Sequence, residues 1–283
     1  MDQERSSDDR RGAAPMRCEI CRGAMAFDFS KTFAAFGLGR VDYWRCGDCG
    51  FVLSRTHAEM PQPRWAALNS EIHASYQGGD DNALDPRWKE RLAAQARALA
   101  GFAAAGLIPP DGRWLDYGCG DGALSAALAG LPGRSGPRLC KYDAYMAAGD
   151  DYLTEAELTP GGFDLVITTS VFEHLLRREQ WDAIDRLVAP TGVHAVHTLI
   201  RETVPGDPDW FYLQPPHTAF FSNAAASRLF EAWGYRSSLY DVEARLWLWF
   251  REDPDLTEAR LDALNATRAE PVLFARKFLD YWK

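Results

Sequence analysis

Residues 114–122 (WLDYGCGDG) constrain the fold more than any other stretch of the chain. A short apolar run ends in an acid, three glycines then alternate with other residues, and an Ala/Leu-rich helical pattern continues to Leu131. This order predicts a strand, a tight turn and a helix. Glycines at such a turn let a ligand approach the backbone, because no Cβ stands in the way. We therefore predict that the turn forms the floor of a nucleoside-cofactor site.

The chain after this turn alternates between strand and helix patterns. A second strand, residues 138–142, ends at Asp143, where a carboxylate suits a ribose diol because it accepts from two hydroxyls at once. The remaining predicted strands are residues 163–170, 193–199, 235–240 and 245–250, and predicted helices cover residues 178–188 and 222–233. Strands that alternate with helices predict an α/β protein with a parallel, doubly wound sheet.

Taken together, these segments resemble the class I S-adenosylmethionine-dependent methyltransferases. LDYGCGDG (residues 115–122) is similar to that family's first motif, Asp143 stands where its ribose-binding acid stands, and FDLVITTSVFEHL (163–175) is similar to its fourth-strand motif. The resemblance implies a doubly wound, mostly parallel, seven-stranded Rossmann-like sheet over residues 110–251, with S-adenosylmethionine as the methyl donor. A nicotinamide-binding domain is the nearest competitor, but its turn runs GxGxxG whereas these glycines run GxGxG.

The resemblance also implies which residues contact S-adenosylmethionine. Asp116 and the glycine turn would hold its amino-acid end, and Asp143 its ribose. In the family a residue after the third strand holds the adenine, and Tyr152 is the candidate here, with Asp151 and Leu153 as alternatives. The implied set is Asp116, Gly118, Cys119, Gly120, Asp143, Tyr152, Thr169 and Ser170. One departure is that residues 144–162 must hold both the usual helix and the third strand, in little space.

His217 is the first candidate for proton removal. It lies in QPPHTAFFS (residues 214–222), after the fifth strand, on the rim where ligands bind in open α/β sheets. In similar methyltransferases of sugar and secondary metabolism, a histidine in an H-x-x-F-F-S stretch faces the acceptor. In the sugar C-methylating branch, which also carries a zinc ribbon, a glutamate precedes this histidine. Pro216 takes that place here, which puts C-methylation in doubt; the alternative is that His217 caps the next helix or packs on Phe221.

Two further histidines are candidates at the ends of the fourth and fifth strands. The resemblance places His174, with Glu173, beside the methyl donor, and the alternative is a hydrogen-bonding pair that anchors the helix start. His194 and His197 alternate with apolar residues in the fifth strand, and we predict that both point to one face. His197 lies nearer the C-terminal end of the strand and is therefore the better candidate for a site residue. The insertion 201–216 contains Trp210, Phe211 and Tyr212, which either wall an acceptor pocket or cover the sheet edge.

Two CxxC pairs near the N-terminus predict a metal site. The pairs are Cys18 with Cys21 and Cys46 with Cys49, and each can turn two thiolates onto one ion, as in a zinc ribbon over residues 16–55. A module of this size cannot build a core alone, so Zn²⁺ would supply folding energy. Four thiolates leave no open position, which makes the role structural. A rubredoxin-like iron site and a pair of disulfides are the alternatives, and the latter are disfavoured in a reducing compartment.

Composition limits the partners and the compartment. The net charge of −9 gives no general attraction to phosphate backbones, which argues against a nucleic-acid substrate. No apolar run approaches about 18 residues, so no membrane span is expected. Residues 1–15 are charged and lack the apolar core of a secretory signal, so we expect a disordered tail and a cytoplasmic protein.

The remaining segments divide around these motifs. Residues 56–109 are predicted to be a helical linker with a helix that opens at Asp85-Pro86, and the loop 76–80 is a candidate lid over the cofactor. Residues 252–283 are predicted to form two C-terminal helices, as a packing element or a homodimer contact.

Three functions are consistent with these features. The leading one is methyl transfer to a small polar acceptor, a sugar or natural-product intermediate, with oxygen favoured over nitrogen and carbon. The first alternative is an rRNA or tRNA methyltransferase whose zinc ribbon recognises RNA, against which the acidic balance and the absence of an NPPY-type motif after the fourth strand both argue. The second is a non-catalytic binding protein that has kept the fold. Calorimetry with S-adenosylmethionine separates this last from the enzymes.

Overall fold

The computed structural model describes residues 15–76, 87–132, 139–146 and 151–281. The predicted tail up to residue 14, the loop residues 77–80 and the predicted helix start at Asp85-Pro86 lie outside these ranges. Within the described part of the chain, no helix is long and apolar enough to cross a membrane.

A seven-stranded sheet forms the body of the protein, in the order β12-β10-β11-β7-β6-β4-β5. Its strands are β4 (Trp114–Tyr117), β5 (Leu139–Tyr142), β6 (Phe163–Thr169), β7 (Val188–His197), β10 (Ser237–Asp241), β11 (Leu246–Phe250) and β12 (Leu273–Ala275). The first four pair in parallel, while β11 is antiparallel to β7 and to β10. The pairings leave β10 in the same direction as the parallel set, so the predicted mostly parallel α/β sheet is confirmed.

Helices cover both faces of this sheet, as the doubly wound prediction requires. The helices of the described residues are α1 (Arg55–Ala58), α2 (Gln62–Tyr76), α3 (Trp88–Ala104), α4 (Ala123–Ala129), α5 (Arg178–Asp185), α6 (Asn223–Ala232) and α7 (Pro254–Asn265), and those that cover the sheet are among α3 to α7. The alternation in β11 decides which face each side chain meets. Leu246 and Leu248 join the core under α3, α4 and α7, whereas Trp247 and Trp249 join the core on the side of α6.

The two edges of the sheet differ from the prediction. The described residues of 144–162 form no strand beyond a single parallel bridge between Lys141 and Tyr152, so they supply neither the usual helix nor a full third strand. The seventh strand is instead β12, at the opposite edge, where Phe274 pairs with Leu239. The prediction of two C-terminal helices is therefore wrong for the second helix. This C-terminal segment packs on the chain's own sheet, and a homodimer contact stays a prediction.

A second, five-stranded sheet joins the N-terminal module to the body. Its order is β1-β2-β3-β9-β8, and its strands are β1 (Met25–Phe33), β2 (Gly39–Cys46), β3 (Val52–Ser54), β8 (Ile200–Arg201) and β9 (Ala219–Ser222). The first three strands form the predicted ribbon, and β3 pairs antiparallel with β9, with Val52 opposite Phe220. The sheet thus links the cysteine-containing segment directly to the His217 segment.

Aromatic packing reinforces this junction. Phe51 lies 5.9 Å from Trp181 and 5.2 Å from Phe221, measured between ring centroids, and all three side chains are fully buried. Burying one such side chain stabilises a fold by about 1.5–3 kcal/mol. Sheet pairing and apolar burial therefore both hold the ribbon against the body.

Candidate active site

The glycine turn follows β4 and has the backbone shape that its sequence predicted. Gly118, Gly120 and Gly122 all have positive φ (73°, 55° and 80°), which favours glycine. The amides of Gly118 and Cys119 donate to the carbonyl of Tyr142 at the end of β5 (2.8 and 3.1 Å). A Cβ on Gly118 would lie 2.7 Å from Val171 Cγ2, so the turn is also packed too tightly for a side chain there.

Asp116 lies in β4, just before this turn, and is buried. Its Oδ1 is shielded from solvent and accepts no hydrogen bond within the described residues. Burial, followed by the nearby charge of Asp143, raises the pKa of this carboxyl to about 7. A buried oxygen of this kind is satisfied when a ligand supplies an N–H donor, so Asp116 fits the amino group of an amino-acid moiety.

Asp143 fastens the glycine turn to the loop after β5. Its Oδ2 accepts from the amide of Gly120 (2.9 Å), and its Oδ1 accepts from the amides of Tyr145 (2.8 Å) and Met146 (2.9 Å). A carboxylate offers about four acceptor positions, so these three bonds leave room for one ligand hydroxyl. The residue therefore lies where a ribose acid is expected, and it also shapes the turn itself.

Tyr152 lies directly against the glycine turn. Its hydroxyl donates to the carbonyl of Gly120 (2.8 Å), and the ammonium of Lys141 lies 4.3 Å from its ring centroid. The same ammonium pairs with Asp151 at 2.8 Å. Partial burial is the first cause that raises the pKa of Tyr152 to about 12, so its hydroxyl remains protonated and a donor at neutral pH.

Thr169 and Ser170 end the strand next to β4. Ser170 has φ of +58°, an uncommon conformation for a residue other than glycine, and its amide donates to the carbonyl of His197 (2.8 Å). Such local strain persists only where the surroundings fix it, and it is frequent at functional sites. Both residues line a cavity that the glycine-turn residues themselves do not line.

The cavity has a volume of about 520 Å³, a size typical of sites for small molecules. Among its lining residues are His174, His197 and His217, the three histidines proposed from the sequence. Thr169 and Ser170, which line this cavity, stand at the end of β6, and β6 pairs in parallel with β4, the strand that leads into the glycine turn.

Glu173 is the buried acid of the cavity wall. Its Oε1 accepts from the hydroxyl of Tyr212 (2.6 Å), and its Oε2 accepts from the hydroxyl of Thr198 (2.9 Å). Burial, followed by the charge of Glu173, raises the pKa of Tyr212 well above its ordinary value, so that hydroxyl is a donor. Glu173 is thus a carboxylate held in place by two hydroxyl donors.

His217 lies beside this carboxylate. Its Nδ1 is 2.8 Å from the carbonyl oxygen of Tyr212, which can only accept, so Nδ1 carries the proton and Nε2 is an acceptor. Burial lowers the pKa of His217, although the charge of Glu173 and the bond to Tyr212 oppose that shift. A donor atom from each of Glu173, His174 and His217 lies within 4.8 Å of the other two. Proline stands at position 216, where a glutamate would precede this histidine. The fold nevertheless brings another carboxylate, that of Glu173, close to His217.

The prediction that His194 and His197 share a face is wrong. Side chains alternate in a strand, so residues three apart point to opposite faces. His194 is fully buried between aromatic rings, including Trp233 and Trp249, and lies 3.7 Å from Asp185. His197 lines the cavity, where its Nδ1 donates to the carbonyl of Arg245 (2.7 Å).

The aromatic residues of the 201–216 insertion divide between the cavity and the core. Phe211 and Tyr212 line the cavity, while Trp210 packs into the core, 5.4 Å from Phe220 between ring centroids. No local sequence pattern identifies Tyr212 as the partner of Glu173, because that hydrogen bond joins residues that are far apart in the chain.

The four predicted metal ligands come together in the ribbon. One Sγ from each of Cys18, Cys21, Cys46 and Cys49 lies within 4.8 Å of the others. The Sγ atoms are 3.7 Å apart for Cys18 and Cys49 and 3.4 Å apart for Cys21 and Cys46, too far for disulfides. Tetrahedral zinc with Zn–S bonds of about 2.3 Å needs sulfurs about 3.8 Å apart. The cluster therefore fits a tetrahedral ion of this size.

A doubly wound sheet with a glycine turn after β4 and a cavity at the ends of β6 and β7 defines a broad class of α/β proteins. Comparison with known families makes the class specific. Residues 87–238 match the family model described as a methyltransferase domain, which spans more than half of the chain. The chain belongs to this family, and it is an S-adenosylmethionine-dependent methyltransferase.

Solved structures with a similar fold are methyltransferases of low sequence identity. Magnesium protoporphyrin IX methyltransferase from Synechocystis PCC 6803 with bound SAM is 17% identical, with a TM-score of 0.42 over 66% of this chain and 91% of its own. A possible histamine N-methyltransferase from Thermotoga maritima is 14% identical (TM-score 0.37, covering 66% and 100%). The CurJ carbon methyltransferase is 13% identical (TM-score 0.37, covering 65% and 57%). A comparison with curated protein sequences gives no match.

Proposed function

We propose that this enzyme methylates a hydroxyl of a small polar acceptor, such as a sugar or a natural-product intermediate. The observation that carries this proposal is the position of His217: a buried imidazole with Nε2 as its acceptor, in a cavity of about 520 Å³ that Thr169 and Ser170 also line. An acceptor in this cavity would meet a base on one side and the methyl donor on the other.

S-adenosylmethionine, when bound, supplies an activated methyl group and leaves as a thioether. Asp116 would accept from its amino group, and the backbone of Gly118, Cys119 and Gly120 would contact its amino-acid end. Asp143 would accept from a ribose hydroxyl with its remaining acceptor position, and Tyr152 would lie against the adenosine. Thr169 and Ser170 would close the site toward the acceptor.

The chain itself performs a proton transfer. His217 Nε2 would take the proton of the acceptor hydroxyl as that oxygen attacks, and Nδ1 would stay bonded to the Tyr212 carbonyl. The imidazolium that forms is stabilised by the Glu173 carboxylate, which two hydroxyls hold in place. General bases of this kind contribute about 10²–10⁴-fold to a rate. His174 and His197 would contact the acceptor from the same cavity.

The test is to incubate the protein with ¹³C-methyl-labelled S-adenosylmethionine and a panel of sugars and hydroxylated natural products. Labelled product detected by NMR, together with calorimetric binding of S-adenosylmethionine, is the expected result. Absence of donor binding would overturn the proposal, because a methyltransferase of this kind must bind its methyl donor.

C-methylation is a second candidate, favoured by the proximity of Glu173 to His217. Proton removal from carbon needs a stronger base, and a neighbouring carboxylate raises the basicity of an imidazole. The same labelling experiment separates the two reactions, because methyl carbons bonded to oxygen and to carbon have different ¹³C shifts.

We also propose that the four cysteines hold a structural zinc ion and that the protein works in the cytoplasm. The thiol separations fit tetrahedral zinc, four thiolates would fill its coordination, and each of the six cysteines is a free thiol. One equivalent of zinc in a metal analysis of the purified protein is expected. A preparation that folds and contains no zinc would overturn this assignment.

A further inference from the structure

The cavity carries a local positive charge in an acidic protein. The chain as a whole has a net charge of −9, yet the cavity lining includes three arginines, Arg91, Arg201 and Arg245, and one carboxylate, Glu173. The histidines of the lining add positive charge only when protonated. The side chains that line the cavity are therefore more positively charged than the molecule as a whole.

The carboxylate of the cavity forms no ion pair with Arg201 or Arg245. Both oxygens of Glu173 are engaged by the hydroxyls of Tyr212 and Thr198. Among the described residues, no carboxylate forms an ion pair with Arg201 or Arg245. Other arginines of the chain do have such partners: Arg45 with Asp28, Arg178 with Asp182, Arg251 with Asp185, Arg260 with Glu252 and Arg268 with Asp241.

The backbone of Arg245 is held in a strained conformation at the cavity. Its φ is +50°, and its carbonyl accepts the hydrogen bond from His197 Nδ1 at 2.7 Å. An arginine needs an external constraint to remain in this region of φ. The bond from the cavity histidine supplies one and fixes the hairpin position from which the guanidinium extends.

An aromatic wall stands beside these cations. Tyr240 lies 4.2 Å from Trp247 and 4.5 Å from Tyr281, measured between ring centroids, and all three line the cavity. Phe211, which is 69% exposed, also lines it. Aromatic rings that line the same cavity as Arg201 and Arg245 suit a ligand with an apolar or ring-shaped body and an anionic group.

We propose that the methyl acceptor is an anion, bearing a carboxylate or a phosphate that Arg201 and Arg245 bind while its body contacts the aromatic wall. This inference rests on the proposed function, since it assigns the acceptor to the same cavity. Guanidinium groups bind carboxylates and phosphates through paired, charge-assisted hydrogen bonds, which makes arginine suited to either group.

The test titrates three probes into the full-length protein saturated with S-adenosylhomocysteine, by calorimetry at pH 8. Phenyl phosphate and benzoate represent the two anions, and benzamide is the uncharged analogue. Saturable binding of at least one anion, with benzamide binding at least tenfold more weakly, is expected. Which anion binds more tightly distinguishes a phosphorylated from a carboxylated acceptor.

The variants are Arg201→Gln, Arg245→Gln and their combination. Each single change should weaken anion binding on the order of tenfold, because a charge-assisted hydrogen bond is lost. Arg201→Lys, which keeps the charge, should retain part of the affinity. Arg260→Gln is the matched control, because its guanidinium pairs with Glu252 and does not line the cavity.

Two results would overturn the inference: no saturable binding of either anion, or unchanged anion affinity in the double variant. Binding of S-adenosylhomocysteine is measured for the same proteins and should be unaffected by all five variants. If the homocysteine derivative binds and the anions do not, only the anionic acceptor is wrong. If it fails to bind to the unmodified protein, the proposed function fails.

Discussion

The hydroxyl of Ser222 donates a hydrogen bond to the backbone carbonyl of Cys49. The same hydroxyl accepts from the amide of Ala225 (3.0 Å) and so caps the N-terminus of α6. One side chain therefore joins the second cysteine knuckle to the helix that follows the His217 segment. On the other side of the junction, the amide of Ser54 donates to the carbonyl of Thr218 (2.8 Å).

Metal removal should loosen the His217 segment. Binding energy at a structural metal site is folding energy, and β9 pairs with β3, which directly follows the second cysteine knuckle. Chelation should raise amide exchange at Ala219 and Phe220 by an order of magnitude or more in hydrogen-exchange mass spectrometry. Amides of β4 and β6 serve as the internal control. Equal protection of β9 with and without metal would contradict this coupling.

Ser222→Ala should destabilise the protein by about 1–2 kcal/mol, because it removes a helix cap and a buried hydrogen bond. Urea denaturation at neutral pH measures the change in the free energy of unfolding. Ser227→Ala is the matched control on the same helix, since Ser227 is less buried and bonds to Glu231. The control should change stability by less than about 0.5 kcal/mol. Similar losses for the two variants would refute the special position of Ser222.

Asp116 should make donor binding depend on pH. Its folded pKa is raised to about 7, so the carboxylate needed to pair with a ligand ammonium forms only as the pH rises through that value. Affinity for S-adenosylhomocysteine, measured by calorimetry, should therefore increase between pH 6 and pH 8. Asp116→Asn should bind more weakly and lose this dependence.

The raised pKa of Asp116 also makes the stability of the ligand-free protein depend on pH. Because the folded pKa of Asp116 lies above its unfolded value near 4, the folded state binds more protons between those two values, and stability falls as pH rises across that window. Asp116→Asn removes this loss, so the variant should gain stability relative to the unmodified protein at pH 8 more than at pH 4. An identical pH dependence in the two proteins would contradict the raised pKa.

The sequence predicted the parts of this site that depend on local geometry. Glycine is the residue type that favours positive φ, so a strained turn could be predicted at Gly118, Gly120 and Gly122. The position of Asp116 follows from the strand that precedes them. The spacing of the four cysteines predicts that their thiols lie together. These signals are reliable because the physical requirement and the residues that meet it are close together in the chain.

Other features of the fold and the site could not be predicted from the sequence, because they depend on long-range contacts. The pairing of Glu173 with Tyr212 and the pairing of β3 with β9 join segments that nothing local relates. The sequence predicts a helix where the structure has β12. A short edge strand such as this is stabilised by its neighbour, β10, so its own periodicity does not identify it as a strand. The faces of His194 and His197 were predictable, since the period of a strand places residues three apart on opposite sides.

His217→Asn should lower kcat by about 10²–10⁴-fold and leave S-adenosylhomocysteine affinity nearly unchanged, because the imidazole acts on the acceptor. Burial lowers the pKa of His217, so the base stays neutral to a lower pH than an exposed histidine. At saturating S-adenosylmethionine, which keeps the ionisation of Asp116 from contributing, the acid limb of kcat/KM for the acceptor should accordingly lie below pH 6.5 in the unmodified enzyme, the ordinary histidine value. Glu173→Gln removes the opposing charge and should shift that limb to still lower pH. Measuring both profiles with one acceptor tests the pair, and an acid limb that Glu173→Gln leaves in place would show that Glu173 does not act on the base.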